Sequence, residues 1–297
     1  MTILEDIVTA YPKKPWNGLL LSMNDSIHFE FIQKNPDIVI WNEKAISMNP
    51  SITPKIIRNN PDFPWDYFQL SSNPNITIEF VLEHKDKKLN WRSISANPGI
   101  TLDNIIHHPE LPWIDSFLSL NPNITLDYVE TLGNDRKWDI HNLSSNAMIS
   151  VRDIVRRRMN WDYWRLSSNP NLPIYFVQDN YEQSWNFYNV SSNPNATIYD
   201  VDKYHLIPWD TNGLSMNKNI YMDYVLSHSE KKWNYELLSA NPALSLSDIY
   251  LHFKSKEKKE NDIYQWMSCH PKISLDWVEQ YHEKMNYERL SNIILCE

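Results

Sequence analysis

The sequence predicts an all-α fold, an α-solenoid superhelix of about twelve two-helix repeats of about 24 residues each. Three observations predict it. The stretches WDYFQLSSNPNITIEFV from Trp65, WIDSFLSLNPNITLDYV from Trp113 and WNYELLSANPALSLSDI from Trp233 align without gaps. The same register recurs along nearly all of the 297 residues. Glycine is scarce, at 4 residues, while proline reaches 18, which suits short helices that stop often.

With the tryptophan as anchor, the register falls at Trp16, Trp41, Trp65, Leu89, Trp113, Trp138, Trp161, Trp185, Trp209, Trp233, Asp262 and Met285. The steps are 25, 24, 24, 24, 25, 23, 24, 24, 24, 29 and 23 residues. Counting from the anchor, place five is aliphatic or Met in all twelve units and place six is Ser in all twelve. Place eight is Asn in ten, with His270 and Ile293 as exceptions, and place nine is Pro in eight. Places eleven and sixteen are apolar in the eleven units that reach them.

Each unit reads as two short helices. The anchor and place five, with an apolar residue such as Tyr67 or Phe117 between them, mark a first helix of about two turns, and Asn-Pro ends it. Thr53, Thr77, Thr101, Thr125, Ser150, Thr197, Ser245 and Ser274 stand where N-caps of the second helix belong. Acidic residues such as Glu79, Asp103 and Asp127 follow in the first turn, where the helix dipole favours them. Ile76, Ile78 and Val81 make one apolar face. Helices this short are marginal alone, since about 12–15 residues are needed even for good formers, so neighbouring units must bury each other's apolar rows. We expect one continuous repeat domain over residues 1–297, a charged inserted loop at 254–261 (KSKEKKEN) and a truncated capping repeat at 285–297.

The pattern NP-x-IT-x-[DE]-x-V…PW…LS-x-NP resembles the tandem repeats of proteins from giant DNA viruses that infect amoebae, over nearly the whole chain. The resemblance implies a viral protein made in host cytoplasm, and it implies no activity. More distantly, the 24-residue period and the Asn-Pro turn are similar to the leucine-rich repeat variant, an α-solenoid of alternating α and 3₁₀ helices. That likeness implies 3₁₀ character in the LS-x-NP helix, although the Trp anchor departs from the variant's pattern.

Bulk composition excludes several function classes. A net charge of −9 argues against a generic nucleic-acid binder. Two cysteines, Cys269 and Cys296, make no disulfide framework and suit a reducing compartment. No apolar run of about 18 residues marks a membrane span, and Met1 to Ala10 lack the pattern of a signal peptide. We therefore expect a protein that is not secreted and has no membrane partner, placed in host cytoplasm or in the virion.

No catalytic constellation emerges, so the expectation is a non-enzyme without cofactor or metal. The Asn row at place eight does not vary as a base-reading code must. It is expected to be a structural ladder bonding backbone in its own turn or the next unit, and the Ser row a turn or cap residue. His84, His108, His228 and His252 share place nineteen, which Asn35, Asn60 and Asn180 fill elsewhere, and are expected to cap the second helix. Cys269, His270, His282 and Cys296 match no zinc spacing.

Binding candidates lie where the pattern breaks. Arg152, Arg156, Arg157 and Arg158 sit on the second helix of the Trp138 unit, as a solvated face or a docking point for an acidic partner or phosphate. Phe68, Trp164, Tyr175, Tyr188 and Tyr199 lie off the core register. Such residues usually pack between neighbouring units, yet interfaces favour Tyr, Trp and Arg, which singles out Trp164 beside Arg165. The functional expectation is a protein-interaction scaffold or adaptor. The alternatives are nucleic-acid binding through Arg152–Arg158 and a virion structural role.

Overall fold

A computed structural model of the protein describes residues 2–132, 136–157 and 159–292. The chain is an all-helical solenoid of two-helix repeats; among the described residues there is no strand. First helices are short, as in Tyr67–Leu70, Trp91–Ala96 and Phe187–Ser192, and alternate with second helices such as Ile78–Glu83, Leu102–His107 and Ile198–Lys203. No helix is long and apolar enough to cross a membrane. The chain divides into two compact units, Met1–Ile76 with Asn234–Glu297 as unit 1 and Thr77–Trp233 as unit 2.

Short helices start where a cap permits. Six of the expected second-helix caps, Thr53, Thr101, Ser150, Thr197, Ser245 and Ser274, each accept a backbone N–H from the first turn, whereas Thr77 holds the N-cap position without a side-chain cap bond. The first helices have caps of their own at place one, where Asn42, Asp66, Asn90, Asp139, Asp162, Asn186, Asp210 and Asn286 accept backbone N–H groups. The first helices are α-helical and tighten at their ends, where Asn49 and Asn97 donate their N–H to the carbonyl three residues back (3.0 and 3.1 Å). Asn49, at φ −60° and ψ 126°, is already extended, as the residue before Pro50 must be.

The core is the three expected rows. In unit 2, Ile94, Ile100 and Ile105 are fully buried, as are Val190, Ala196 and Leu172; in unit 1, Ile46, Ile52 and Ile57 repeat the pattern. The anchor Trp adds a polar tie. Its indole N–H donates to the carbonyl that ends the preceding second helix: Trp65 to Asn60 and Trp113 to His108 (2.9 and 2.8 Å). Trp161 follows the 23-residue step, and its indole N–H finds no acceptor among the described residues.

Two rows of side chains stitch repeat to repeat. The place-eight Asn is fully buried and works in both directions. Asn121 donates through Nδ2 to the carbonyls of Ser95, Asn97 and Ile100 in the preceding repeat (2.9, 3.1 and 3.2 Å), while its Oδ1 accepts the N–H of Asn123 (2.8 Å). The place-six Ser ends its helix as the C-cap at Ser71, Ser119, Ser167, Ser268 and Ser291, and it is a cross-repeat staple as well. Ser119 Oγ donates to its own helix at the Asp115 carbonyl and accepts the N–H of Asp139 in the next repeat (2.9 and 3.0 Å). A second, more exposed ladder stands at place ten, where Asn123 donates to the Pro98 and Ile100 carbonyls (both 2.9 Å).

The insertion at Lys254 to Asn261 lengthens the flanking helices, Leu246–Ser255 and Glu260–Met267, and leaves only residues 256–259 as a turn. Glu257 there has φ 54°, the one positive φ of a non-glycine among the described residues. Unit 1 also holds two half-repeats. Ile3–Ala10, the first helix among the described residues, is of the second type, and Tyr287–Leu290 is a first helix, its repeat described as far as Asn292. The half-repeat at Tyr287–Leu290 stacks on the Trp16 repeat, whose first helix is Gly18–Met23, in the repeat's own register. Asn17 N–H donates to Ser291 Oγ (3.0 Å) and Asn24 Nδ2 to the Ser291 carbonyl (3.3 Å), the bonds that Asn42 and Asn49 make to Ser22 (3.0 and 3.1 Å).

Candidate interaction surface

The arginine cluster lies on the second helix Val151–Arg156 of unit 2 and just beyond it. Arg158 lies outside the described residues. Ser150 and Asp153 start that helix with a reciprocal capping box, which fixes Asp153 beside Arg157. Arg157 is spoken for: its guanidinium pairs with Glu130, Asp127 and Asp153, the last at 2.8 Å. The Glu130 and Asp127 hydrogen bonds push its pKa up, so it stays charged and partnered. Arg152 and Arg156 are exposed. Arg152 lines a cleft of about 360 Å³ whose wall also carries Asp127, Asp153 and Arg157. Two carboxylates against two guanidiniums leave that cleft without the positive excess that a phosphate site needs.

The first helices of unit 2 present a different chemistry. Place three and place seven lie one turn apart and share a helix face. Trp164, at place three of the Trp161 repeat, is 58 % exposed; Tyr188, at place three of the next, is 38 % exposed; Met216, at place seven of the third, is 42 % exposed. Tyr188 Oη donates to Met216 Sδ across the repeat boundary (2.9 Å). Beside this row, Asp162 receives the Arg165 backbone N–H (3.1 Å), lies 3.9 Å from the Arg165 guanidinium, and meets His141 Nδ1 at 2.6 Å. Burial works to raise the Asp162 pKa, but the bonds from His141 and the Arg165 backbone outweigh it and hold the carboxyl below its ordinary range. Arg165 therefore stands at the edge of the apolar row, partly compensated.

Of the off-register aromatics, Phe68, Trp164, Tyr175, Tyr188 and Tyr199 are all exposed rather than packed between units. Tyr175 and Tyr199 stand on second helices, apart from the first-helix row. Met216, and Leu120 at place seven of the Trp113 repeat, are exposed but were not legible as surface residues, because place seven is Ser or Ala in six of the twelve repeats and Met and Leu read as core. The signal available was their shared place, one helical turn after place three.

Three of the four place-nineteen histidines, His84, His108 and His228, end their helices as C-caps. His84 Nδ1 lies 2.9 Å from the Phe80 carbonyl and His228 Nδ1 3.0 Å from that of Tyr224, while Asn35, Asn60 and Asn180 donate to the equivalent carbonyl at 2.8–2.9 Å. His108 ends its helix too, but its ring meets Glu110 (3.1 Å), and His252 is inside the lengthened helix. Among the described residues, no three His, Cys, Asp or Glu side chains are placed to hold a metal ion. Cys269 Sγ donates to the Trp266 carbonyl and burial raises its pKa; Cys296 lies outside the described residues. In unit 1 the buried Glu5 carboxylate accepts the Thr2 and His28 N–H groups (2.9 and 2.8 Å) and touches His28 Nδ1 (3.1 Å), so both oxygens serve local structure. No family model, curated protein or solved structure matches this chain.

Proposed function

We propose that this protein is a non-catalytic interaction scaffold that docks a partner protein on the first-helix row Trp164, Tyr188 and Met216 of unit 2. The observation that carries the reading is an exposed aromatic and thioether row on three successive repeats whose polar ladders are satisfied internally. Large, stiff aromatic side chains give contact area at low entropic cost, and interface hot spots are rich in Trp, Tyr and Arg. Arg165 at the margin supplies a polar rim contact. The carboxylates around Arg157 weigh against nucleic acid. The viral repeat resemblance supports a partner met in infected-cell cytoplasm or in the virion.

The test is affinity capture from infected cells with the native chain and with a Trp164→Ala/Tyr188→Ala double variant of unchanged helicity. Loss of a specific co-purifying protein with the double variant supports the reading. Salt-sensitive retention on immobilised DNA or RNA, abolished by Arg152→Ala/Arg156→Ala and indifferent to the aromatic pair, overturns it.

A further inference from the structure

We propose that the junction between the C-terminal half-repeat and the N-terminal segment of unit 1 is an exchangeable clasp, whose second binding partner is another copy of this chain. The C-terminal arm, carrying the helices Glu260–Met267, Leu275–Tyr281 and Tyr287–Leu290, docks on the N-terminal segment of its own molecule. In an exchanged dimer it docks on the same segment of the other.

Three features carry this. First, the junction uses the repeat's own stacking code: Ser291 takes the Asn17 N–H and offers its carbonyl to Asn24 Nδ2, as Ser22 does for Asn42 and Asn49. The surfaces are therefore fully complementary, and they meet without a covalent link from one to the next. Second, the remaining contacts are side-chain contacts that any copy reproduces. Tyr11 stacks on His282 (5.2 Å, 21°), Trp16 meets Tyr287 edge-on (4.9 Å), and Lys14 pairs with Glu283 (3.0 Å). Third, the arm has a marked hinge. Glu257, in the turn between Leu246–Ser255 and Glu260–Met267, is held at φ 54°, a conformation that a side chain with a Cβ adopts only under constraint. Swinging the arm about this turn exchanges one set of contacts for an identical set, which is the low-cost route to a closed dimer. Each copy donates one arm and receives one, so both junctions are filled.

The ion pair at the clasp gives a charge-exchange test. Lys14→Glu alone sets a second carboxylate against Glu283, and Glu283→Lys alone sets a second ammonium against Lys14. An exchanged heterodimer of the two variants restores an opposite-charge pair at both junctions. Copies carrying donor or acceptor dyes are opened together in mild urea, refolded by dilution and separated by size, with mass read by light scattering. The expected result is a wild-type dimer with sensitised emission that survives dilution. The two variants mixed should give roughly fivefold more dimer than either alone. Circular dichroism of each variant checks its folding, and the wild-type dye-exchange measurement stands if a variant does not fold. The proposal is overturned if wild type stays monomeric after co-refolding at every concentration, or if the folded variants dimerise no better together than apart.

Discussion

The buried asparagine at place eight does work at the residue scale that no apolar side chain could. Its amide nitrogen satisfies carbonyls of the preceding repeat and its oxygen holds its own turn, inside a core where an unpaired carbonyl costs about 1–3 kcal/mol. Asn121→Ala should therefore lower unfolding stability by about 2–4 kcal/mol, against less than about 1 kcal/mol for Asn123→Ala on the exposed ladder, as read from urea midpoints. His270 shows what happens when another residue takes the place. Its Nδ1 accepts the Lys272 N–H (3.1 Å) as the Asn oxygen would, and its Nε2 is buried near the Asn241 and Leu244 carbonyls without reaching hydrogen-bond geometry. Burial, helped by Lys272, presses the imidazole down to about 4. An unfolded histidine titrates near 6.5, so between about 6.5 and 4 the unfolded chain holds a proton that the folded chain refuses. Stability is then fully present above about pH 6.5 and falls as pH drops toward 4, by up to about 3 kcal/mol from this one ring. His270→Asn should flatten that slope and make the protein more stable than wild type at pH 5; equal slopes in denaturant titrations at pH 7.5 and 5 would contradict it.

At the scale of the element, helices of one to two turns persist because each end is tied by a side chain and each face is covered by a neighbour. Close packing of first helices leaves no room for a Cβ at Gly213, where it would lie 2.4 Å from the Tyr188 carbonyl oxygen. Gly213→Ala should lower the melting temperature markedly, although Ala is the better helix former, and an unchanged or raised Tm would refute the close approach. The periodic parts of this architecture were legible in the sequence. Rows at places five, eleven and sixteen named the core, and Thr101 or Ser150 named a helix start, because hydrophobic spacing and caps act locally. The unvarying Asn row was legible as structural because a recognition code must vary. What was not legible depends on contacts between repeats. The Ser119 hydroxyl that receives the Asp139 N–H, the indole N–H of Trp113 that closes the helix at His108, and the ladder at Asn123 each involve a backbone group some distance along the chain. The pairing of Arg157 was not legible for the same reason: Asp127 and Glu130, which occupy it, belong to the preceding repeat.

For the whole molecule, the consequence of building from one unit is that every surface made to accept a neighbour must find one. Residues 3–10 supply a buried face, with Leu4, Ile7 and Val8 almost fully covered. Deleting residues 1–10 should cost at least about 4 kcal/mol from that apolar area alone and lower the unfolding midpoint, while leaving the helical content of the remaining chain largely intact. An unchanged midpoint would mean that this helix contributes no packing. The Asn-Pro turn also bears on chemical lifetime. Asparagine deamidates when the next residue's backbone N–H attacks its side chain, and proline has no N–H to give. Seven ladder residues, Asn49, Asn73, Asn97, Asn121, Asn169, Asn193 and Asn241, precede proline and are closed to this route. Asn17 and Asn212 instead precede glycine, the most permissive follower. Peptide mapping after long storage at mildly alkaline pH should find isoaspartate first at those two sites and none at the seven. The residue that shapes each turn thus also protects, against ageing, the amide on which the stacking depends.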